Sequence, residues 1–298
     1  MKNHPSAAGF VDPFRITSGK KFCLTDIDPA DTGKFQGKEN AQGLLQAGVE
    51  QLSELQEKLY AQDRWALLLV FQAMDAAGKD SAIKHVMSGV NPQGCQVFSF
   101  KAPSSQELDH DFLWRTNISL PERGRIGIFN RSYYEETLIV RVHPEFLGNA
   151  KLPENLVTER IWQERFEDIN ACERYLARNG VVIRKFFLHV SKAEQKRRFL
   201  KRLEEPEKHW KFSAIDVRER KFWGDYMSAY EQTIRNTATE HAPWFVVPAD
   251  NKWFTHLVVA AAIVETLESL DLHFPKVNAA KKKELAAARA ALLGKRRL

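Results

Sequence analysis

The chain has 298 residues, 44% of them hydrophobic, and a formal net charge of +6. This length and composition suffice for one large domain or two small ones and exclude disorder over most of the chain. Cys23, Cys95 and Cys172 are odd in number and far apart, so we expect neither a disulfide framework nor a thiolate metal site. The longest apolar run, residues 257–264, is too short to span a membrane, and the N-terminus is polar and charged. We therefore expect a cytoplasmic protein without a secretion signal or membrane anchor.

The positive charge is concentrated at the C-terminus. Residues 276–298 contain eight lysines and arginines against one glutamate, a balance of +7, which leaves about −1 for the rest of the chain. The alanine-rich run in this segment is compatible with a basic helix, but a solvated, frayed terminus is the favoured interpretation. We expect the tail to attract polyanions without recognising a specific nucleic acid.

The remaining sequence predicts an α/β fold. Residues 1–40 are rich in Gly, Pro, Asp and Lys and lack periodicity, which indicates an irregular N-terminal arm, and residues 44–62 then show helical spacing. Apolar, strand-like runs follow at residues 65–71, 97–100, 125–129, 181–190 and 244–248, separated by stretches long enough for helices. Strands that alternate with helices predict right-handed crossovers and a mostly parallel sheet covered on both faces.

The first of these strands runs into a loop of small residues, then Gly78-Lys79, then a predicted helix. This layout is typical of a phosphate-binding P-loop, in which backbone N–H groups and a lysine contact phosphate oxygens. The pattern is imperfect, because Ala73 replaces the first glycine and Asp80 stands where a hydroxyl residue normally binds magnesium. A carboxylate beside phosphate needs a cation between them, so Asp75 and Asp80 favour bound Mg²⁺. The alternative for Asp80 is an N-terminal helix cap.

The third predicted strand ends in Asn130-Arg131-Ser132. Ligands of open α/β sheets bind beyond the carboxyl ends of the strands, so we expect this end and the phosphate loop to share one crevice. Arg131 offers a planar fork for phosphate oxygens, and Asn130 offers a neutral oxygen where an acid would ordinarily approach Mg²⁺ through water. The alternative is that these residues cap the next helix.

A basic segment, residues 191–212, follows the fourth predicted strand. Its lysines and arginines recur one helical turn apart, and Phe199 and Leu203 form an apolar seam. In phosphate-transfer enzymes a basic helical lid closes over the transferring group, neutralises its charge and excludes water. The alternative is a solvated charged face, partly neutralised by neighbouring glutamates.

These features together resemble the polyphosphate kinase 2 family, whose members move phosphoryl groups between inorganic polyphosphate and nucleotides. The resembling sequences are MDAAGKDS at 74–81 with its continuation to 86, SFKAPS at 99–104, HDFLWR at 110–115, FNRSYYEE at 129–136, KHWKF at 208–212 and APWFVVPAD at 242–250. The resemblance implies a P-loop kinase core with a helical lid, similar to thymidylate kinase. It divides the chain into the arm (1–40), a kinase domain (41–275) that includes a basic lid at about 191–212, and the basic tail (276–298).

The resemblance also implies roles for individual residues. Asp75 is expected to bind the metal and hold the acceptor phosphate, Lys79 to contact phosphates from the loop, and Arg131 to grip phosphate at the far strand end. These three are the expected catalytic residues. Further expected contacts are with the nucleotide, from Arg115, Asn130 and Glu135, and with phosphate or polyphosphate, from Ala76, Ala77, Gly78, Lys79, Asp80, Ser81, Arg197, Arg198 and Arg202.

The sequence departs from the better-known family pattern at two positions. Many relatives have Asp where Asn130 stands and Gly where Asp80 stands. The combination resembles the third subgroup, which accepts both nucleoside mono- and diphosphates, and Glu135 or Glu136 would then help to define acceptor choice. The implied cofactor is Mg²⁺, with Mn²⁺ as an alternative. The implied partners are inorganic polyphosphate, adenine nucleotides with guanine nucleotides as a further option, and a second copy of the chain in a dimer or tetramer.

The expected reaction is direct in-line transfer, in which a terminal phosphate of AMP or ADP attacks the end phosphorus of polyphosphate. Both reactants are anionic, so catalysis would consist of positioning and charge neutralisation. An ATP-dependent nucleotide kinase is the rival enzyme, because it shares the loop, lid and sheet. A non-catalytic polyanion or nucleic-acid binder that uses the loop and the basic tail is the third hypothesis.

Overall fold

A computed structural model describes residues 9–35 and 37–294 of the chain. Within them, one sheet consists of β1 (Arg15–Ile16), β2 (Ala66–Ala73), β3 (Cys95–Ser99), β4 (Ile126–Asn130), β5 (Val181–His189) and β6 (Trp244–Pro248). The strands lie in the order β1-β6-β5-β2-β4-β3. Strands β2 to β6 pair in parallel, and β1 lies antiparallel to β6 at the edge. The predicted α/β architecture with a mostly parallel sheet is confirmed.

The five strands predicted from apolar runs are all present, each within two residues of its predicted bounds. Strands β2, β4, β5 and β6 are largely buried, and β2 is buried from Ala66 to Gln72. Strand β3 lies at the edge of the sheet and is only partly buried, so the expected cover on both faces does not extend to it. The sequence does not predict β1, because two residues are too few to show an alternating pattern. This short strand joins the N-terminal segment to the edge of the sheet.

Helices cover both faces of the sheet. They are α1 (Lys38–Gln62), α2 (Lys79–Val86), α3 (Ser105–Leu108), α4 (Trp114–Asn117), α5 (Ile139–Val142), α6 (Ile161–Arg178), α7 (Lys192–Glu204), α8 (Ala214–Glu219), α9 (Trp223–Thr237), α10 (Lys252–Glu268) and α11 (Ala279–Leu292). Two neighbouring residues of β5 show that α10 and α6 lie on different faces. Arg184 Nε donates to Thr266 Oγ1 of α10 (2.9 Å), and Lys185 Nζ pairs with Glu173 Oε2 of α6 (2.6 Å). Successive strand residues point to opposite faces, so α10 and α6 lie on opposite sides of the sheet.

The segment predicted as a basic lid consists of α7 and a 3-10 turn, Pro206–Lys211, and α8 follows it. Ser191 begins α7 because its side chain accepts a hydrogen bond from the backbone N–H of Glu194 (3.1 Å). We use "lid" below for α7, this turn and α8.

The tail differs from the favoured interpretation. Residues 279–292 form a helix rather than a frayed terminus, and Asn278 caps it by accepting from the backbone N–H of Lys281 (2.8 Å). Alanine has the highest helix propensity, which explains the helix without tertiary packing. The side chains of α11 are exposed, so the expected solvation of the tail holds. Residues 1–8 and 36 of the predicted arm and 295–298 of the tail lie outside the described residues. In the described part, none of the helices is both long and apolar enough to cross a membrane.

Candidate active site

The site lies at the carboxyl ends of β2 and β4. Their parallel pairing places Phe71 opposite Asn130, and the backbone N–H of Arg131 extends the ladder to Phe71 O (3.0 Å). The loop after β2 and the polar residues after β4 therefore leave the sheet at the same edge. The structure thus brings the phosphate loop and the second strand end into one crevice.

The phosphate loop has a backbone that small residues permit. Gly78 has φ 112°, in the region that favours glycine, and is the N-cap of α2. Ala76 has φ 62°, which is uncommon for a residue with a side chain. A hydrogen bond from the N–H of Ala77 to Met74 O (3.1 Å) closes the turn. The loop leads into the N-terminus of α2, where unpaired N–H groups and the helix dipole favour an anion.

Arg198 holds this loop from the lid side. Its guanidinium donates to the carbonyl oxygens of Ala76 (3.0 Å) and Ala77 (2.6 Å), and to those of Ala249 (2.6 Å) and Asp250 (3.0 Å) after β6. Its Nε also pairs with Glu194 Oε1 (2.6 Å). Arg198 is buried, and each of its three guanidinium nitrogens already has an acceptor. In this structure it therefore acts as a brace between the loop, α7 and β6.

Lys79, Asp75 and Arg131 converge beneath the lid. Lys79 Nζ donates to Ala73 O (3.0 Å), and Arg131 Nη2 lies 3.1 Å from Asp75 Oδ1. Burial, followed by repulsion from Arg131, lowers the pKa of Lys79, whereas Asp75 and nearby carboxylates oppose that shift. A bound phosphate chain would relieve this repulsion between Lys79 and Arg131, because it brings negative charge between them.

Arg131 is oriented from behind by a small polar network. Its Nη1 lies 3.9 Å from Glu135 Oε2, and Gln72 Nε2 donates to Glu135 Oε1 (2.9 Å). The charges of Glu135 and then Asp75 raise the pKa of Arg131 above its ordinary value, against the effect of burial. Arg131 has φ 66°, so a non-glycine residue sits in the left-handed region at the strand end. The guanidinium lies between the carboxylates of Asp75 and Glu135, and Gln72 holds Glu135 in place.

Asp80 and Asn130, the two departures from the family pattern, contact each other. Asn130 Nδ2 donates to Asp80 Oδ1 (3.0 Å), which links the first turn of α2 to the end of β4. The amide therefore compensates for the extra carboxylate at the start of α2.

One cavity of about 800 Å³ joins the loop, the strand ends and the lid. It is lined by twelve of the residues expected from the sequence: Asp75, Ala76, Ala77, Gly78, Lys79, Asp80, Ser81, Asn130, Arg131, Arg197, Arg198 and Arg202. Arg197 is 67% exposed and pairs with Glu194 (2.6 Å). Arg202 lies 3.7 Å from Asp216 and donates to Lys211 O (3.3 Å). These contacts leave both arginines close enough to turn toward an anion in the cavity.

Two residues expected at the nucleotide do not line this cavity. Glu135 lies behind Arg131, as described above. Arg115 donates to Lys101 O (2.8 Å), and its guanidinium stands over the ring of Phe100, 5.5 Å from the centroid. Arg115 thus supports the segment 99–102, which lines the cavity wall after β3. The nucleotide contacts of Arg115, Asn130 and Glu135 stay predictions.

Outside the segments that the sequence singled out, two charged residues line the cavity, Asp216 of α8 and Lys252 at the start of α10. Burial, followed by the charge of Asp75, raises the pKa of Asp216, which indicates that these two carboxylates lie near each other. Both residues are far from the loop in sequence and belong to no strong motif. The pairing of Asp216 with Arg202 connects this carboxylate to the basic run.

The residues at the loop fit a divalent cation whose coordination would be completed by phosphate oxygens. Among the residues described, no cluster of three or more His, Cys, Asp or Glu side chains could hold a metal alone. Mg²⁺ characteristically binds through one or two carboxylates together with water and substrate phosphates. The carboxylates of Asp75 and Asp80 both line the cavity beside the loop, which is the donor set that such a cation needs.

This geometry suits the holding of a phosphate chain while its charge is neutralised, and it places the chain in the class of P-loop kinases. Similar proteins agree. Residues 35–275 match the polyphosphate kinase 2 (PPK2) family. An ADP-polyphosphate phosphotransferase of Rhodopseudomonas palustris is 54% identical, over 94% of this chain and 97% of the relative. An AMP/ADP-polyphosphate phosphotransferase of Meiothermus ruber is 44% identical, over 91% of this chain and 97% of the relative.

A solved structure is also similar. The crystal structure of polyphosphate kinase 2 from Arthrobacter aurescens TC1 superposes with a TM-score of 0.85 at 39% identity, and the match covers 95% of this chain and 97% of that one. The present chain belongs to the polyphosphate kinase 2 family. The family predicted from the sequence is confirmed, as is the P-loop kinase fold.

Proposed function

We propose that this chain transfers phosphoryl groups from inorganic polyphosphate to AMP and ADP, with the reverse direction open to the same site. The relatives named above as polyphosphate phosphotransferases match over nearly their full length, which supports this activity. The observation that carries the proposal is the convergence of Asp75, Lys79 and Arg131 with the lid bases on one cavity. Its volume of about 800 Å³ is large enough for a nucleotide and the end of a phosphate chain.

The residues of the chain would act by positioning and charge neutralisation. Lys79 and the α2 N-terminus would hold phosphate at the loop, and Arg131 would grip phosphate at the end of β4. A terminal oxygen of the acceptor phosphate attacks the end phosphorus of polyphosphate, a new P–O bond forms, and the bridging P–O bond breaks. The shortened polyphosphate leaves with the electron pair of that bond. Each such contact typically contributes about 10² to 10³ in rate.

Asp75, with Asp80 beside it, would hold Mg²⁺, and Mn²⁺ would be the alternative. When bound, such a cation neutralises phosphate charge and aligns the reacting groups. Asp75→Ala is therefore expected to lose transfer at any metal concentration. Asp80→Ala, which also loses its contact with Asn130, is expected to need more metal for half-maximal activity.

We propose a dual acceptor range because Asn130 is neutral and engaged with Asp80. A carboxylate at that position would repel ADP, which carries one phosphate more than AMP, more strongly than it repels AMP. A neutral amide discriminates less between the two acceptors by charge. The two relatives differ in the acceptor that their names state, ADP for one and AMP or ADP for the other. Acceptor range is thus a question for this chain's own residues.

A time course tests the activity and the acceptor range together. Purified protein is incubated with AMP, Mg²⁺ and polyphosphate, and nucleotides are separated by chromatography. ADP should appear first and then decline as ATP rises. The Lys79→Ala protein, prepared identically, should produce neither, which excludes a contaminating kinase. Accumulation of ADP without ATP, with polyphosphate in excess, would reject the dual acceptor range and leave the donor intact.

A donor exchange separates this activity from the rival nucleotide kinase. Polyphosphate with AMP should give ADP at least about tenfold faster than ATP with AMP, a difference of roughly 1.4 kcal/mol in barrier. Equal rates with the two donors would favour the ATP-dependent kinase.

We further propose a cytoplasmic homo-oligomer, a dimer or tetramer, that accepts guanine as well as adenine nucleotides. The three cysteines are free, which supports a reducing compartment. Size-exclusion chromatography with light scattering would test the assembly, and GMP in the assay above would test the base.

A further inference from the structure

Trp210 is the exposed tryptophan of the chain. All seven tryptophans lie in the described residues. Trp244 is buried, with its indole N–H bonded to Thr237 Oγ1 (2.9 Å), and five others are partly buried. Trp210 is 78% exposed. An indole carries a large apolar surface with a polar handle, so its exposure on a charged segment calls for a partner.

The backbone around Trp210 is held firmly although the indole is not packed. Its 3-10 turn begins with a hydrogen bond from the N–H of Lys208 to Glu205 O (2.8 Å). His209 Nε2 lies 3.0 Å from Leu203 O, and Arg202 of α7 donates to Lys211 O (3.3 Å). Both residues next to Trp210 are thus tied to α7. These hydrogen bonds, and not burial of the ring, therefore fix the position of the backbone that carries the indole.

That place is the mouth of the catalytic cavity. Trp210 lines the same cavity as Lys79 and Arg131. The Lys211 ammonium stands over the indole, 4.8 Å from the centroid, and Lys208 and Lys211 both line the cavity beside it. The aromatic face therefore lies within a wall that attracts phosphate.

Polyphosphate and the nucleotide differ chemically, so we expect them to contact different groups of this wall. A phosphate chain has no flat face, and the lysines suffice to bind it. A nucleotide brings a purine ring attached to its phosphates, and stacking on an aromatic side chain is the common way to hold a base. Other exposed apolar residues of the lid, such as Ile215 and Val217, do not line the cavity. A contact surface for a second copy of the chain would therefore not require Trp210 to line the cavity.

We propose that Trp210 is the stacking platform for the base of the acceptor nucleotide. This inference rests on the proposed function and adds the part of the site that recognises the nucleoside. Stacking contacts the face of a base rather than its edges, so the platform would hold adenine and guanine alike. It would also place the acceptor phosphates toward the loop, because the base remains at the mouth of the cavity.

Steady-state kinetics of matched variants test the platform. Trp210→Ala and Trp210→Leu should raise KM for AMP about tenfold, since losing one base stack typically costs that much affinity. Trp210→Phe keeps an aromatic face and should stay close to wild type. KM for polyphosphate and kcat at saturating AMP should change little in all three. Tyr175→Ala, which removes an exposed aromatic residue of α6 outside the cavity, should change none of these values.

A binding measurement keeps the inference separate from the activity. AMP should change the tryptophan emission of wild type but not of Trp210→Phe, and ribose 5-phosphate, which lacks the base, should change neither. An unchanged KM for AMP in Trp210→Ala, or a rise in KM for polyphosphate of equal size, would overturn the platform. Should wild type fail to transfer phosphate from polyphosphate to AMP, the proposed function fails, and the emission titration alone decides the base site.

Discussion

At the residue scale, Lys79 shows a conflict between folding and function. Its pKa is lowered in the folded protein, by burial and then by Arg131. The unfolded chain therefore binds more protons than the folded one at pH values between the two pKa values, and stability rises with pH through that alkaline window. At pH values below both pKa values, the charged Lys79 lowers the stability of the fold. The proposed contact of Lys79 with phosphate would explain why a residue that lowers stability stands at this position.

Lys79→Met is accordingly expected to lower transfer by about 10² to 10³ and to leave the melting temperature equal or higher at pH 7. Activity follows from nucleotide chromatography, and stability from calorimetry without substrate. The stability gain should shrink as pH rises into the alkaline window, because wild-type Lys79 then loses its charge. A melting temperature several degrees below wild type at pH 7 would contradict this account.

Arg197 and Arg198 are neighbours in sequence with different environments. Arg198→Ala removes donors to four backbone carbonyls, so we expect unfolding to become easier by at least about 2 kcal/mol. The loop would also shift, with a loss of about 10²-fold in kcat. Arg197→Ala is the matched control and should keep wild-type stability while KM for polyphosphate rises. Urea unfolding and kinetics on both variants measure these effects, and equal stability of the two would refute the bracing role.

The sequence predicts that both arginines are basic and lie on a helix, but it cannot separate them. Consecutive helical residues point in different directions, and the acceptors of Arg198 come from segments near residues 76 and 250. Which arginine meets those carbonyls depends on how α7 packs against the loop and β6. The same limit applies to Glu135, whose contact with Gln72 forms only when β4 pairs with β2.

At the scale of elements, a buried ion pair fixes the turn that follows Arg131. Glu173 of α6 and Lys185 of β5 have fully buried side chains. Tyr133 and Tyr134 of the 3-10 turn Tyr133–Thr137 both donate to Glu173 Oε1 (2.8 and 2.7 Å). Lys185 Nζ also donates to Thr237 O at the end of α9 (2.7 Å). The pair thus joins α6, β5, α9 and the turn that follows Arg131.

Glu173→Gln should destabilise the fold by about 3 to 5 kcal/mol, because it leaves the Lys185 ammonium buried without its counter-charge. Urea unfolding at neutral pH measures this. Tyr133→Phe removes one hydrogen bond from the same network and is expected to cost about 1 kcal/mol. The double variant Glu173→Gln, Lys185→Met should recover part of the loss. A cost for Glu173→Gln no larger than that for Tyr133→Phe would refute the assignment.

Elements differ in how far the sequence predicts them. Strands β2, β4, β5 and β6 are largely buried, so their apolar runs stand out, and the phosphate loop follows from β2 running into small residues. The basic residues predict the lid as far as position 212. They do not predict α8, because its residue Asp216 belongs to the cavity only through its position opposite Arg202. Local pattern predicts elements, whereas contacts between distant segments decide which side chains enter the cavity.

At the scale of the whole molecule, positive charge occupies two separate places. The tail carries +7 while the remainder is near −1, yet the catalytic cavity gathers lysines and arginines from the loop, lid and α10. Helix α11 exposes all its side chains, whereas the residues of the cavity are supplied by segments before it. Among the described residues, those that line the cavity all precede the tail.

Deleting residues 276–298 should leave kcat on short polyphosphate within about twofold of wild type, since the barrier depends on groups inside the cavity. With long polyphosphate at low ionic strength, KM should rise, because the +7 tail attracts a polyanion before it reaches the site. The difference should disappear as salt shortens the range of that attraction. Kinetics of the full-length and shortened proteins with both chain lengths, at low and high salt, provide the comparison. A fall in kcat of more than about tenfold on short polyphosphate, roughly 1.4 kcal/mol of barrier, would show instead that the tail completes the active site.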